Sequence, residues 1–288
     1  MKFKNLMMPF ILGICSALAT VRAAELEPAT NNAWEGYVRA AEQRMQARVS
    51  PSNQFLWLDE VPGGRLRARE GATLVAPMTA TGSESVPHGL IHHWVGAAFI
   101  PHVTLAGARQ VLNDYDNYQQ YYKPAVVESK VFASSDDRQD FSMRSMHRTA
   151  MATAVFETQY VAHDFRVDAT RAYSVTSSTR IQEIENFGRP GERILPPGRG
   201  RGYVWRVATI CRLEQGDGGV YVETETIVLS RDIPAPLRRL VSPFVARLSV
   251  DEMTNSLQQT RDAIRAAANK TMVAATETNP KAPPHGQH

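Results

Sequence analysis

The stretch from Gly218 to about Ala268 constrains this chain most. It begins as a strand, GGVYVETETIVLS, turns at RDIPAP and ends in an amphipathic helical segment. Between Leu90 and Leu213 the chain reads as strands and turns, apart from one short helical stretch. A sheet of half-apolar strands has to bury a face against another layer, and this segment is the only long helix that follows the strands. The expectation is an α+β fold: a curved antiparallel sheet gripping a long C-terminal helix, with a cavity between them. A helical and extended N-terminal extension precedes it.

Met253, Leu257, Thr260, Ile264 and Ala267 recur at spacings of four and three, which is one face of a helix. Ser249-Val250-Asp251-Glu252 has the form of a capping box and predicts a helix start there. Leu237, Leu240, Val241, Phe244 and Leu248 make a second stripe upstream. Pro243 and Ser249 predict a bend or break between the stripes. That break would make the capped half a gate and the upstream half its anchor.

The 288 residues fit one sizeable domain plus an extension. Residues 1–23 read as a secretory signal, with Lys2 and Lys4 as the basic start, Leu6 to Ala19 as the apolar run and Val21-Arg22-Ala23 before the cleavage site. The apolar run is too short to favour a membrane-spanning anchor. A lipoprotein reading through Cys15 ranks below simple cleavage. Residues 1–23 hold Lys2, Lys4 and Arg22 and no acid, so the formal net charge of +3 resides there and the rest is balanced. No global field favours nucleic acid. Cys211 is the one cysteine left after cleavage, so no intramolecular disulfide can form. Its place among strand residues predicts a small buried apolar group.

Along the chain, Asn31 to Val49 reads as a helix capped by Asn31 or Asn32, with Trp34, Tyr37, Val38, Ala41 and Met45 on its apolar stripe. Arg65 to Val75 alternates weakly and reads as an edge strand. Thr79 to Gly89 reads as a turn-rich linker between an extension, residues 24–80, and a main domain, residues 90–268. GLIHHWVGAAFIP carries bulk on both faces, as a well-covered strand would. Thr104 to Tyr122 reads as helical with a split at Asn113-Asp114. Strands follow from Ala125 to Phe132, Asp140 to His147, Thr149 to Val167, Arg171 to Asn186, Tyr203 to Leu213 and Val220 to Leu229. The tight turn Gly216-Asp217-Gly218-Gly219 joins the last two. Strands in series with short turns favour an antiparallel sheet. Residues 269–288 read as a disordered tail.

HHWVGAAFIP followed by DYDNYQQYYKP, and later GYVWRVATICRLEQGDGGVYVETETIVLSRDIPAPLRRLVSPF, give the order strand, short helices, antiparallel strands, long helix. That order resembles the START-like, or polyketide cyclase-like (SRPBCC), helix-grip superfamily over about Leu90 to Ala268. The resemblance implies a mostly apolar cavity between sheet and helix. It does not choose among lipid carriers, hormone receptors, ubiquinone-binding proteins and aromatase/cyclase enzymes.

Candidate cavity residues are His92, Trp94, Phe156, Tyr160, Tyr173, Arg180, Trp205, Tyr221 and Glu223 on strands, and Met253 and Leu257 on the helix. Plain core packing is the competing explanation for each one. Alternation alone does not say which strand face is inner. His92 and His93 point to opposite strand faces and cannot readily share a metal, so neither metal nor cofactor is expected. His147, His163 and Arg180 with Glu223 or Glu225 could make an acid–base set. An inward Arg180 would need a partner such as Glu223. Gly198-Arg199-Gly200-Arg201-Gly202 is not followed by a helix, so it is no phosphate loop. It reads as a loop at the cavity rim whose arginines could meet an acidic ligand or anionic head groups. The leading expectation is an exported protein that binds or shuttles a hydrophobic small molecule, a lipid, isoprenoid or aromatic compound. It would make no nucleic-acid contact and at most a transient one with membranes. The rivals are a cyclase- or hydrolase-type enzyme in the same cavity and an accessory protein whose cavity has collapsed.

Overall fold

The computed structural model describes residues 26–148, 153–200, 204–233 and 235–277, with the side chains of 235–244 and 272–277 excepted. The predicted signal, residues 1–23, lies outside the described residues.

Helix α1 (Pro28–Val49) leads through a 3-10 turn (Trp57–Glu60) and short helix α2 (Gly64–Arg69) into the sheet. Strands β1 (Leu74–Pro77), β2 (Ser83–Val86) and β3 (Gly89–Pro101) come next, then helices α3 (Leu105–Leu112) and α4 (Tyr118–Tyr121). Strands β4 (Val126–Ser134), β5 (Arg138–Arg148), β6 (Thr153–Arg166), β7 (Arg171–Glu185), β8 (Arg193–Ile194), β9 (Arg206–Gly216) and β10 (Gly219–Arg231) lead to helix α5 (Ala235–Glu277). The main path of the sheet is β1-β3-β10-β9-β7-β6-β5-β4, antiparallel throughout, with β2 on β3 and β8 on β7. The β9–β10 hairpin turns at Asp217 and Gly218, both at positive φ (51° and 77°). Such turns match the twist of the strands they join. Register shifts at Gln159/Tyr160 and in the β4–β5 pair bend the sheet, as bulges do.

Each face of the sheet has its own cover. On the concave face α5 lies on β3, where Met253 and Leu257 pack with Trp94, Ala98 and Ile100. The backbone comes close because β3 has Gly96 there. A Cβ at that position would stand 2.7 Å from both Leu257 Cδ1 and Met253 Cγ. On the convex face, Trp34, Ala41 and Met45 of α1 share a core with Phe99, Tyr173, Ile210 and Tyr221. Strand β3 is therefore buried almost throughout.

Four readings change. Helix α5 runs without a break from Ala235 to Glu277, through Pro243 and Ser249. Ser249 is not a cap: its Oγ donates to Val245 O at 3.0 Å, the back-bonding of a serine inside a helix. The continuous helix leaves the two-part gate without a hinge, and it carries on through Asn269–Glu277, the start of the segment read as a disordered tail. Second, the expected edge strand from Arg65 to Val75 is α2 followed by β1, since the Arg-, Leu- and Ala-rich run favours helix. Third, Thr79 to Gly89 is no free linker, because β2 pairs along β3 from Ser83↔His92 to Val86↔Gly89. Finally, α1 begins at Pro28, so Asn31 lies inside the helix and donates to Glu35 instead of capping.

Candidate ligand-binding site

The two faces of β9 and β10 differ in chemistry. The convex-face positions Ala208, Ile210 and Arg212 on β9, and Tyr221, Glu223, Glu225 and Ile227 on β10, are all buried. The concave-face positions Val207, Thr209 and Cys211, and Thr224, Thr226 and Val228, all keep accessible surface. These six form three cross-strand pairs: Cys211 opposite Thr224, Thr209 opposite Thr226 and Val207 opposite Val228. They make a floor of small apolar and hydroxyl side chains beside α5.

Tyrosines supply the walls. Tyr115 stacks on Phe141 with centroids 4.1 Å apart, and Phe141 stacks on Tyr160 at 5.0 Å. Tyr118 packs edge-on to Tyr122 at 4.9 Å. Burial pushes the Tyr118 hydroxyl well up, and the Tyr122, Tyr160 and Cys211 groups up to about 12. None of these four is fully buried. Burial, outweighing a hydrogen bond from Thr224, keeps Cys211 toward its thiol form.

Two side-chain bonds tie α5 to the end of α4 and to strand β5. Tyr122 and Thr260 hydroxyls meet at 3.0 Å, and His147 Nδ1 donates to Glu252 at 2.9 Å. Burial alone would lower the His147 pKa; the Glu252 hydrogen bond and charge outweigh it and raise it above the ordinary 6.5. The link is thus fully present below about pH 6.5 and is lost as pH rises through the raised folded value. Both side chains are close to half exposed, so the effect is small, on the order of 0.5 kcal/mol. Urea unfolding of wild type and His147→Gln across pH 5.5–9 should show the gap closing as pH rises through the histidine range. A gap that widens with pH would contradict the link.

The candidate residues divide between the faces. His92, Trp94, Phe156, Tyr160, Met253 and Leu257 are on the concave side. Trp94, Met253 and Leu257 are packed core there. His92 reaches Ser230 Oγ at 2.9 Å beside a recess of about 10 Å³, and burial lowers its pKa. Tyr173, Trp205, Tyr221 and Glu223 are on the convex side, in the core shared with the N-terminal layer or the ion network within it. Arg180 is exposed. Both faces of these strands carry bulk because both are covered, so alternation could not choose the inner one. The floor residues Thr209, Cys211, Thr224 and Thr226 were missed. Their signal was the run of small side chains alternating with Arg212, Glu223 and Glu225.

The acid–base set does not assemble. Arg212, not Arg180, is the partner of Glu223, at 2.8 Å, and it also bonds Glu225. Glu223 further accepts from the Trp57 and Leu58 N–H groups at 3.0 Å each. His93 Nε2 donates to Glu225 at 2.8 Å, and the Tyr37 hydroxyl meets His93 Nδ1 at 2.9 Å. His163 lies on the convex side against Phe165. Burial raises the Glu223 pKa, opposed by Arg212 and the two N–H groups. Glu225 sits at about 2: burial opposes the shift, but His93 and Arg212 prevail. Among the described residues no cluster of three or more His, Cys, Asp or Glu could hold a metal, and no helix is long and apolar enough to cross a membrane.

No family model and no curated protein matches the chain. Solved structures do resemble it. A STAR-related lipid transfer protein fragment from Xanthomonas axonopodis is 15% identical, covering 67% of this chain and 98% of its own, with a TM-score of 0.43. Human STARD10 is 9% identical over 69% of this chain and 80% of its own, with a TM-score of 0.42. The Zhui aromatase/cyclase from a Streptomyces species is 13% identical over 62% and 98%, with a TM-score of 0.38. The fold is a helix grip. Its own strand order, with α5 against the concave face, carries that statement. Relative to the grip, α1, α2, β1 and β2 form an added layer and sheet edge.

Proposed function

We propose that this chain is an exported carrier that holds a hydrophobic small molecule, a lipid, isoprenoid or aromatic compound, on the concave face beside α5. The observation that carries the reading is a contrast along part of β9 and β10: between Val207 and Cys211 and between Thr224 and Val228, the convex-side residues are buried and the concave-side ones keep accessible surface, while Leu213, Val220 and Val222 beyond them are packed core. Affinity would come from apolar area removed from water, about 25 cal/mol per Å² before the costs of association. The floor threonines would orient a polar end. Lipid transfer and aromatase/cyclase are the activities in the names of the similar structures. Carrying is preferred over transforming because burial keeps the lining cysteine toward its thiol form, His147 and Glu252 are bonded to each other, and Glu223 and Glu225 are committed on the other face. The signal-like residues 1–23 support export.

Native mass spectrometry of the purified full chain tests this. A bound hydrophobic compound that exchanges unaltered is the expected result. Thr209→Phe, which fills the floor, should lose that mass while circular dichroism stays unchanged. A chain that carries no compound and takes none up would overturn the carrier reading and favour a collapsed cavity. A compound recovered chemically changed would favour an enzyme.

A further inference from the structure

Strand β7 leaves its neighbour part-way along. Its ladder with β9 ends at Ser177↔Ala208, and pairing resumes with β8 at Ile184↔Ile194. The gap between is a notch of about 390 Å³, closed by the loop at Pro197–Gly200 and by Leu26. Trp205, which lines it, belongs to the core shared with α1.

Two independent features give the notch a chemistry. Trp205 is 6% exposed, and among the described residues its buried indole Nε1 has no hydrogen-bond partner. A buried N–H without an acceptor is costly, and such groups call for a partner. Arg180, Arg199 and Arg206 also line the notch, against one carboxylate, Glu183. Among the described residues neither Arg180 nor Arg199 has an ion-pair partner, and burial lowers the Arg206 pKa despite Glu35 nearby. Ile181, Val204 and the Trp205 ring add apolar wall.

We infer that this notch is a second binding site, for a small amphipathic carboxylate whose oxygen accepts from Trp205 Nε1 while the arginines neutralise its charge. The apolar body of the ligand lies against Ile181, Val204 and the indole. A carboxylate suits the site because it accepts several hydrogen bonds at once, and charge-assisted bonds to guanidinium are the strong ones.

The test is a titration of the ¹⁵N-labelled full chain with 2-naphthoate and with its neutral analogue 2-naphthamide. The Trp205 indole signal is assigned by its loss in Trp205→Phe. Naphthoate should move that signal downfield, and the amide should move it far less. Arg180→Gln with Arg199→Gln, both at exposed positions, should weaken naphthoate binding about tenfold or more. An unmoved Trp205 signal would overturn the site. Equal responses to acid and amide, or unchanged affinity in the arginine variant, would overturn its anion chemistry. The floor variant Thr209→Phe should bind naphthoate as wild type does; loss there would mean that the notch is not a separate site.

Discussion

Replacing Arg212 by methionine is expected to lower the unfolding free energy by about 3–5 kcal/mol, the range for breaking a buried ion pair from one side. The Arg212 side chain is 2% exposed and stands between Glu223, fully buried, and Glu225. Its Nε lies 3.2 Å from Met45 Sδ on α1, so the guanidinium also joins sheet and N-terminal layer. Without it two carboxylates remain in the interior; Glu225 keeps His93 and, at 3.8 Å, Arg44, while Glu223 keeps its two backbone N–H donors and the more distant charge of Arg48. Lysine should rescue poorly, because one ammonium does not reproduce the fork that meets two carboxylates. Removing all three charges, as Arg212→Met with Glu223→Gln and Glu225→Gln, should recover much of the loss. The pH dependence supplies a sign check. In Arg212→Met the folded pKa of Glu223, already raised by burial, loses its main opposing charge. A raised carboxylate pKa favours the folded state as pH falls, so the deficit should narrow below neutral pH. Guanidinium unfolding at pH 7 and pH 5 measures both. A loss under about 1 kcal/mol, flat with pH, would mean that the site is hydrated.

Leu257→Ala should cost about 2–5 kcal/mol, the range for a large-to-small change in a packed core. Leu257 is 1% exposed, and its Cδ1 occupies the space that a side chain at Gly96 would need. Gly96→Ala should destabilise the wild type by overpacking, by about 1–3 kcal/mol. In the Leu257→Ala background the new methyl meets a vacated volume on the leucine side, and the two changes should be non-additive by about 1 kcal/mol. Strictly additive losses would show that α5 is not seated on β3 at this glycine. The double-mutant cycle therefore reports where the helix grips the sheet, which the single variants alone do not.

Much of this architecture is legible in the residues. The alternation in Arg171 to Asn186, the turn at Asp217-Gly218 and the stripe Met253, Leu257, Thr260 and Ile264 each need only local geometry. Each appears in the structure close to where it was read. The misreadings share a cause. Ser249-Val250-Asp251-Glu252 matches a capping box, yet its serine bonds back along a continuous helix and its glutamate reaches His147. Capping patterns describe side chains that compete for local backbone, and tertiary partners outbid them here. Arg180 looked like the arginine in need of a carboxylate. Nothing in its neighbours indicated that Arg212, in RVATICRLEQG, was the one turned inward.

Sequence alone determined that a strand series must be closed by one long C-terminal helix, because periodicity and apolar area are properties of the chain. It also determined that the last two strands are joined tightly, because Asp-Gly tolerates the positive φ that the turn requires. Only the tertiary structure decided which strand face is concave. A period of two defines two faces and cannot rank them when both are covered. The N-terminal layer took the face bearing Arg212, Glu223 and Glu225, where Trp57 and Leu58 N–H groups and Tyr37-bonded His93 could satisfy buried charge. The face of small threonines and Cys211 was left to α5.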